Sequence, residues 1–364
     1  MSVRCQGGGR DPGFQVPQRA VYRAVMLGGR FIGATGCVLL VAPVLAVTGS
    51  AAPPEVRWRP LLHVPTIIDV VGPRADGQLV LSTRRGLLLA RPGRPATEFA
   101  RGPAGYVAAG GEPYIALAPA RRLPNARCSF KRDDVFALDA DSTPGVVWIR
   151  RTGQAVRLVD FPADAFPSGI AFDLLGRFGY RLLVTAVVAG KTTLYAIDCL
   201  GGRKVVARDA PRVEGGIAVA PSSFGRFGGD LIAPDEHSGR ILAFSPTGAV
   251  QLVAKPRVAA GGDIGVEGVG FVPSGFSRTG SAYFSDLGAP GSPTEGTDSL
   301  LALRGTDLVR AGVRAGDLVA ATEAGAITIS VHCARRCTVR RIGKGPVATH
   351  GEGHITFVPG MSRS

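Results

Sequence analysis

The chain has 364 residues, 45% of them hydrophobic, with 51 glycines, 27 prolines and a formal net charge of +14. That much apolar material builds a large core, so neither a metal nor a disulfide is needed merely to fold. The glycine and proline content suits many tight turns and falls short of the disordered regime. No long basic run and no basic stripe interleaved with aromatics is present, which argues against nucleic acid as a partner.

In chain order, residues 31–49 (FIGATGCVLLVAPVLAVTG) are the one long apolar run, preceded by Arg4, Arg10, Arg19, Arg23 and Arg30 and followed by small residues. A charged region, an apolar region and a small-residue end make an export signal, and a start at Met26 would give it ordinary length. The alternative is an uncleaved membrane anchor, because nearly twenty apolar residues span a bilayer. Residues 1–51 are therefore signal or anchor, and residues 52–364 are one extracytoplasmic domain. Outside the cytoplasm cysteines tend to pair. Cys333–Cys337 across the turn Ala334-Arg335-Arg336 is the local expectation, which leaves Cys128–Cys199 to tie neighbouring repeats. A metal site on His332, Cys333 and Cys337 is disfavoured, since adjacent strand residues point to opposite faces.

Strand-like runs begin at residues 66–71, 78–82, 86–90 and 97–100. A repeat opens at residues 112–119 (EPYIALAP) and continues through 134–139, 145–150 and 155–160. Two further copies occupy residues 167–197 and 214–244, and another is read at 266–303. The opening motif returns at residues 352–359 (EGHITFVP). Each copy has a Gly-led apolar strand, a loop, then two more strands, with turn residues between them. Ile115, Ile170, Ile217 and Val269 are spaced by 55, 47 and 52 residues; another step lands near Leu318, and Ile355 closes the series. Repeats of this length with about four strands each make propeller blades. The expected fold is all-β: a single β-propeller of six four-stranded blades closed by both termini. In it residues 78–82, 86–90 and 97–100 complete the last blade, and residues 66–71 are an outer strand.

The inner strands of a propeller line its channel, so their first residues ring one mouth. Glu112, Ser168, Glu214, Glu267 and Glu352 stand there. Converging carboxylates repel unless protons or a cation neutralise them, and oxygen-rich sites suit calcium or magnesium. The plainer alternative has these glutamates accepting hydrogen bonds from neighbouring strand-start amides. Asp235 and Asp286 follow second strands and either cap turns or face the mouth. His350, Glu352 and His354, at spacing two, share one face of an extended segment and can supply a base and ligands. No H-E-x-x-H, G-x-S-x-G or Walker A motif is present, so covalent-hydrolase and nucleotide-dependent chemistries have no support.

The phrases PSGIAF (167–172), EGGIAV (214–219) and DLIAPDEHSGRILAF (230–244) resemble the six-bladed propeller superfamily of gluconolactonase-type (senescence-marker) lactonases and NHL-repeat proteins. That resemblance implies a divalent cation held by a Glu and Asn residues opening inner strands and by an Asp after a second strand. Glu112, Glu214, Glu267 or Glu352 would take the Glu place and Asp235 or Asp286 the Asp place; Ser168 stands where Asn is expected. The His350, Glu352 and His354 cluster is similar, over a short stretch, to streptogramin-lyase propellers, which use His and Glu with magnesium. The expected function is an exported, monomeric propeller that binds a small molecule, glycan or protein partner over its channel face, with calcium or magnesium as the candidate ion. It would meet a membrane only through its N-terminal segment. The alternative is a metal-dependent lactonase or esterase, or a lyase of the streptogramin kind, with Asp235, Asp286, His350 or His354 as catalytic groups.

Overall fold

The computed structural model describes residues 55–124, 128–141 and 143–360; the signal or anchor assigned to residues 1–51 lies outside them. Six sheets stand around a central channel, each with its innermost strand against it. Blade 1 is Ile67–Val71, Leu79–Thr83, Gly86–Ala90 and Thr97–Phe99. Blade 2 is Ile115–Leu117, Val135–Asp139, Gly145–Ile149 and Ala155–Asp160. Blade 3 is Phe166–Phe172, Leu182–Val188, Lys191–Ile197 and Arg203–Ala210, and blade 4 is Ala218–Val219, Leu231–Asp235, Arg240–Phe244 and Val250–Ala254. The hairpins follow from local chemistry. In blade 3 the strand LLVTAVV turns at Ala189-Gly190, both with positive φ (48° and 76°), which is the twist-matched two-residue turn.

Blades 5 and 6 exchange strands. The chain lays down Val266–Phe271 as the innermost strand of blade 5, then crosses to blade 6 for Ser281–Asp286 and Ser299–Arg304. After a short helix, Gly305–Arg310, it returns to blade 5 for Leu318–Thr322, Thr328–Cys333 and Cys337–Lys344. Gly351–Val358 then supplies the innermost strand of blade 6, and Arg59–His63 its outermost. Val56–Arg57 adds a parallel fifth strand to blade 5. Closure by both termini therefore holds, since blade 6 is completed by strands from the two ends of the described chain.

Three expectations are corrected by this topology. Leu318 opens a second strand, paired to Phe271, and the sixth inner strand is Ile67–Val71, which had been placed on the outside. Residues 266–303 divide between two blades. The strands that follow Gly351–Val358 in its sheet are Ser281–Asp286 and Ser299–Arg304, while 78–82, 86–90 and 97–100 belong to blade 1. The hairpin 281–304 presents the same apolar alternation to either neighbour, so periodicity identifies its strands without identifying its sheet.

Both expected disulfides are formed. Cys128–Cys199 links the loop region of blade 2 to blade 3, and Cys333–Cys337 pins the hairpin tip of blade 5. Two disulfides point to an oxidising compartment. Among the described residues no helix is long and apolar enough to cross a membrane.

Candidate functional site

The first residues of the inner strands converge as the repeats imply, and glycines let them. Gly215 has φ +94°, and a Cβ there would lie 2.2 Å from Glu267 Oε1, so the carboxylate of the next blade occupies the space of a missing side chain. Gly353, at φ +69°, leaves room in the same way for Asp69. The backbone at this level is internally satisfied: the Gly215 amide donates to the Ser168 carbonyl (2.9 Å) and the Gly216 amide to the Glu267 carbonyl (3.1 Å). These two amides thus donate to carbonyls and not to the ring glutamates.

What they share is one phenol. Tyr114 Oη stands 2.7 Å from Glu112 Oε2, 2.9 Å from Glu267 Oε1 and 2.9 Å from Glu352 Oε2. A phenol has one hydrogen to donate, so at most one of these contacts is a Tyr114 O–H bond to a carboxylate. The other contacts require protons on the glutamates. Burial, opposed by the Tyr114 hydrogen bond and helped by Glu214, pushes Glu112 up to about 7. Burial together with Glu352 and Glu323 holds Glu267 well above the carboxylate range; burial and Glu112 do the same to Glu352, against the pull of His350. Tyr114 is raised by burial and by the same acids.

The ring continues into Glu323 and Glu236. His350 Nε2 lies 2.9 Å from Glu323 Oε1 and 3.4 Å from Glu352 Oε1, while its Nδ1 donates to the Thr294 carbonyl at 3.0 Å. Burial alone would lower this histidine; the hydrogen bonds to Glu323 and Glu352 outweigh it and hold it up to about 10. Burial, then Glu323 and Glu214, push Glu236 up to about 9. Among the described residues two buried carboxylate oxygens, Glu267 Oε2 and Glu323 Oε2, have no hydrogen-bond partner, on residues that are 2% and 3% exposed. Glu323, His350 and Glu352 form one group able to surround an ion, and Glu214, Glu236 and His237 form a second. Glu214 is itself held by Arg212, whose Nε is 3.2 Å from its Oε2.

Not every expected residue faces this cluster. Ser168 is fully buried, donating to the Val213 carbonyl (2.8 Å). Asp235 accepts from Ser238, by its amide at 3.1 Å and by its hydroxyl, and so holds a turn. Asp286 accepts the His350 amide at 2.8 Å and the Thr297 hydroxyl, fixing the strand that carries His350. His354 lies deeper in the channel, with Nδ1 2.8 Å from Asp69 Oδ2 and Nε2 2.9 Å from the Ile170 carbonyl. Both ring nitrogens face acceptors, so the ring is held as an imidazolium; its pKa is raised by Asp69 against the lowering effect of burial.

Tyr114, Glu236, Glu323 and Asp69 were missed from sequence. Glu236 and Glu323 had a signal: each directly follows the second strand of its blade, Leu231–Asp235 and Leu318–Thr322, the position where an acid was sought. Beyond His354 the channel opens into a pocket of about 300 Å³ at its far end, lined by Ile115, Ile170, Ile217, Val269, Phe271 and neighbours. Beside Glu112, a cleft of about 280 Å³ bordered by Arg84, Gly110, Gly111 and Pro113 leads in from outside.

No protein-family model and no curated protein matches the chain. Among solved structures it is similar to a propeller in a nidogen/laminin complex, with a TM-score of 0.50 and 15% identity, over 82% of this chain and 87% of that one. It is also similar to a streptogramin B lyase (TM-score 0.42, 12% identity, 80% and 75% of the two chains). A calcium-binding regucalcin from Agrobacterium tumefaciens follows (TM-score 0.43, 11% identity, 80% of each). The first of these likenesses shows a shared fold and nothing finer.

Proposed function

We propose that this protein is an exported propeller whose channel mouth holds a divalent cation and, through it, an oxygen-rich small ligand. The observation that carries this is the group Glu323, His350 and Glu352 with its neighbouring buried carboxylate oxygens that lack any partner. Unpaired buried carboxylates are costly, and proteins keep them where something else binds. The residues fit an ion on a second count. His350 donates Nδ1–H to a backbone carbonyl, the arrangement that leaves Nε2 toward the carboxylates and typically orients a ligating histidine. An ion would supply positive charge that protons supply otherwise; Glu323, His350 and Glu352 would hold it, with Glu267 adjacent. A donor set dominated by carboxylate oxygen favours calcium or magnesium.

The test is direct. Protein stripped with chelator is expected to melt at lower temperature near pH 8, to recover with calcium or magnesium, and to bind one of them in calorimetric titration. Glu323→Gln should cut that affinity at least ~100-fold, a ligand's share or more. Protein that carries no ion, binds none and melts identically with chelator would end this reading.

A second reading, a metal-dependent lactone or ester hydrolase, is favoured by one feature. Glu112 is the member of the ring that borders an outside cleft, within reach of a substrate. There it would act as the proton-transferring group, Asp235 and Asp286 being occupied with their loops. Turnover of a lactone or ester panel that vanishes in Glu112→Gln, while ion affinity is kept, would separate this from binding alone.

A further inference from the structure

The acids are gathered at the channel mouth, while a set of cations lies on the perimeter of blades 5 and 6. The fourth strand of blade 5, Cys337–Lys344, exposes Arg340 and Arg341 along the part that Val56–Arg57 leaves uncovered. The hairpin tip before it exposes Arg335 and Arg336, and the Cys333–Cys337 disulfide fixes that tip. Val56–Arg57 runs along the other end of the same strand, Arg57 beside Lys344, and the chain then passes to Arg59 on the outermost strand of blade 6. Arg57 and Arg59 are exposed as well. Among the described residues none of these six arginines pairs with a carboxylate. The nearby acids are committed elsewhere: Glu55 to Lys344, Asp307 to Arg304 and Arg310, Asp317 to His332. Two aliphatic side chains, Val339 (39% exposed) and Leu61 (41%), stand among them.

A second observation bears on what such a surface meets. The described chain begins at Glu55, on this same edge, and the apolar run 31–49 ends six residues earlier in the sequence. Kept as an anchor, that run would hold this edge at a bilayer. We infer that the outer edge of blades 5 and 6 is a docking surface for a bilayer bearing anionic phospholipid. Guanidinium forks suit phosphate oxygens, and basic groups held within a Debye length of a charged bilayer add their attraction. The exposed aliphatics enter the headgroup region between them.

The competing explanation is that edge-strand cations merely prevent edge-to-edge pairing. Blade 3, across the ring, serves as the control, since its outer strand Arg203–Ala210 exposes Lys204 and Arg208. The experiment uses the full chain with vesicles of phosphatidylcholine, and with vesicles in which about a third of the lipid is phosphatidylglycerol. Co-sedimentation is read together with amide exchange at residues 338–341. The expected result is stronger binding and slowed exchange with phosphatidylglycerol only, both lost at high salt. Arg335→Gln with Arg336→Gln, or Arg340→Gln with Arg341→Gln, should reduce the phosphatidylglycerol-dependent partition roughly 25-fold, about fivefold per charge. Lys204→Gln with Arg208→Gln should change it less than about twofold. The exchange readout stands even if the apolar run inserts into both kinds of vesicle. Equal behaviour in the two lipids, or equal loss in the control variant, overturns the inference. A heparin fragment that protects residues 338–341 where vesicles do not would assign the surface to an anionic glycan and overturn it too.

Discussion

At the mouth of the channel three glutamates crowd one tyrosine hydroxyl, and two buried carboxylate oxygens have no hydrogen-bond partner among the described residues. At the other end of the same strands Ile115, Ile170, Ile217 and Val269 are almost completely buried around an apolar pocket. Asp69 and His354 form the boundary between the two. Since the strands are equivalent, the blade a residue belongs to matters less than its place along the strand. First residues, where glycines have removed side chains, bring crowded acids together; residues two or three further on hold the ring together. The mouth is kept at a cost to stability, and the far end offsets it.

Several changes would break or sharpen that contrast. The largest effect is expected at the boundary. Asp69→Asn weakens a carboxylate that accepts from the Ile115 amide and from His354 twice, and should cost about 3–5 kcal/mol in urea denaturation. A near-neutral result would mean that the two ends are not tied through it. Next, Ile170→Ala at the far end should lose about 2–5 kcal/mol while leaving divalent-ion affinity where it was. Glu267→Gln should act with the opposite sign, raising the melting temperature of chelated protein by a few degrees, because it removes a buried acid crowded by others, while weakening ion binding. If both substitutions destabilise and both weaken ion binding, the ends are not separable. Gly215→Ala should cost about 1–2 kcal/mol for its left-handed backbone and displace the Glu267 carboxylate, so ion affinity falls with it.

The shallowest effect is the slope with pH. In chelated protein Glu112 and Glu236 keep their protons to about 7 and about 9, against 4.5 as the ordinary value, and His350 keeps its proton to about 10 against 6.5. The folded chain then binds more protons than the unfolded one from pH 4.5 upward. Stability should accordingly fall as pH rises from about 5 to about 10. Saturating ion, taking the place of those protons, should flatten that slope. A melting temperature that rises with pH in chelator would contradict the crowding at the mouth.

Much of this fold was legible because its repeat is a steric one. The openings at Glu112, Glu214, Glu267 and Glu352 mark strands that begin where backbones converge, and glycines beside them mark where carboxylates must fit. The acids could be placed at one mouth for that reason. Their partners could not. Tyr114 looks like any core aromatic in a strand pattern, and only the ring geometry brings it to Glu267 and Glu352, which lie 153 and 238 residues away. Glu323 was hidden for a related reason: the strand exchange shifted the register, so the end of Leu318–Thr322 was not recognised as a second-strand end. Asp235 and Asp286 look alike in sequence to a mouth-facing acid, because a turn-holding aspartate and a ligand occupy the same position after a strand.

The strand exchange has a consequence for how the molecule comes into being. Blade 6 takes its outermost strand from the start of the domain, its middle from residues 281–304 and its innermost strand from residues 351–358. A chain emerging from N- to C-terminus therefore carries an unfinished gap in its wall until the last strand arrives, and that strand brings Glu352 with it and His350 just before it. Every earlier species, and every product clipped before residue 350, lacks two members of the acidic cluster. An ion held there would bind finished rings alone, so occupancy would serve as a certificate of completed assembly, and would stabilise the complete protein over its own fragments by mass action.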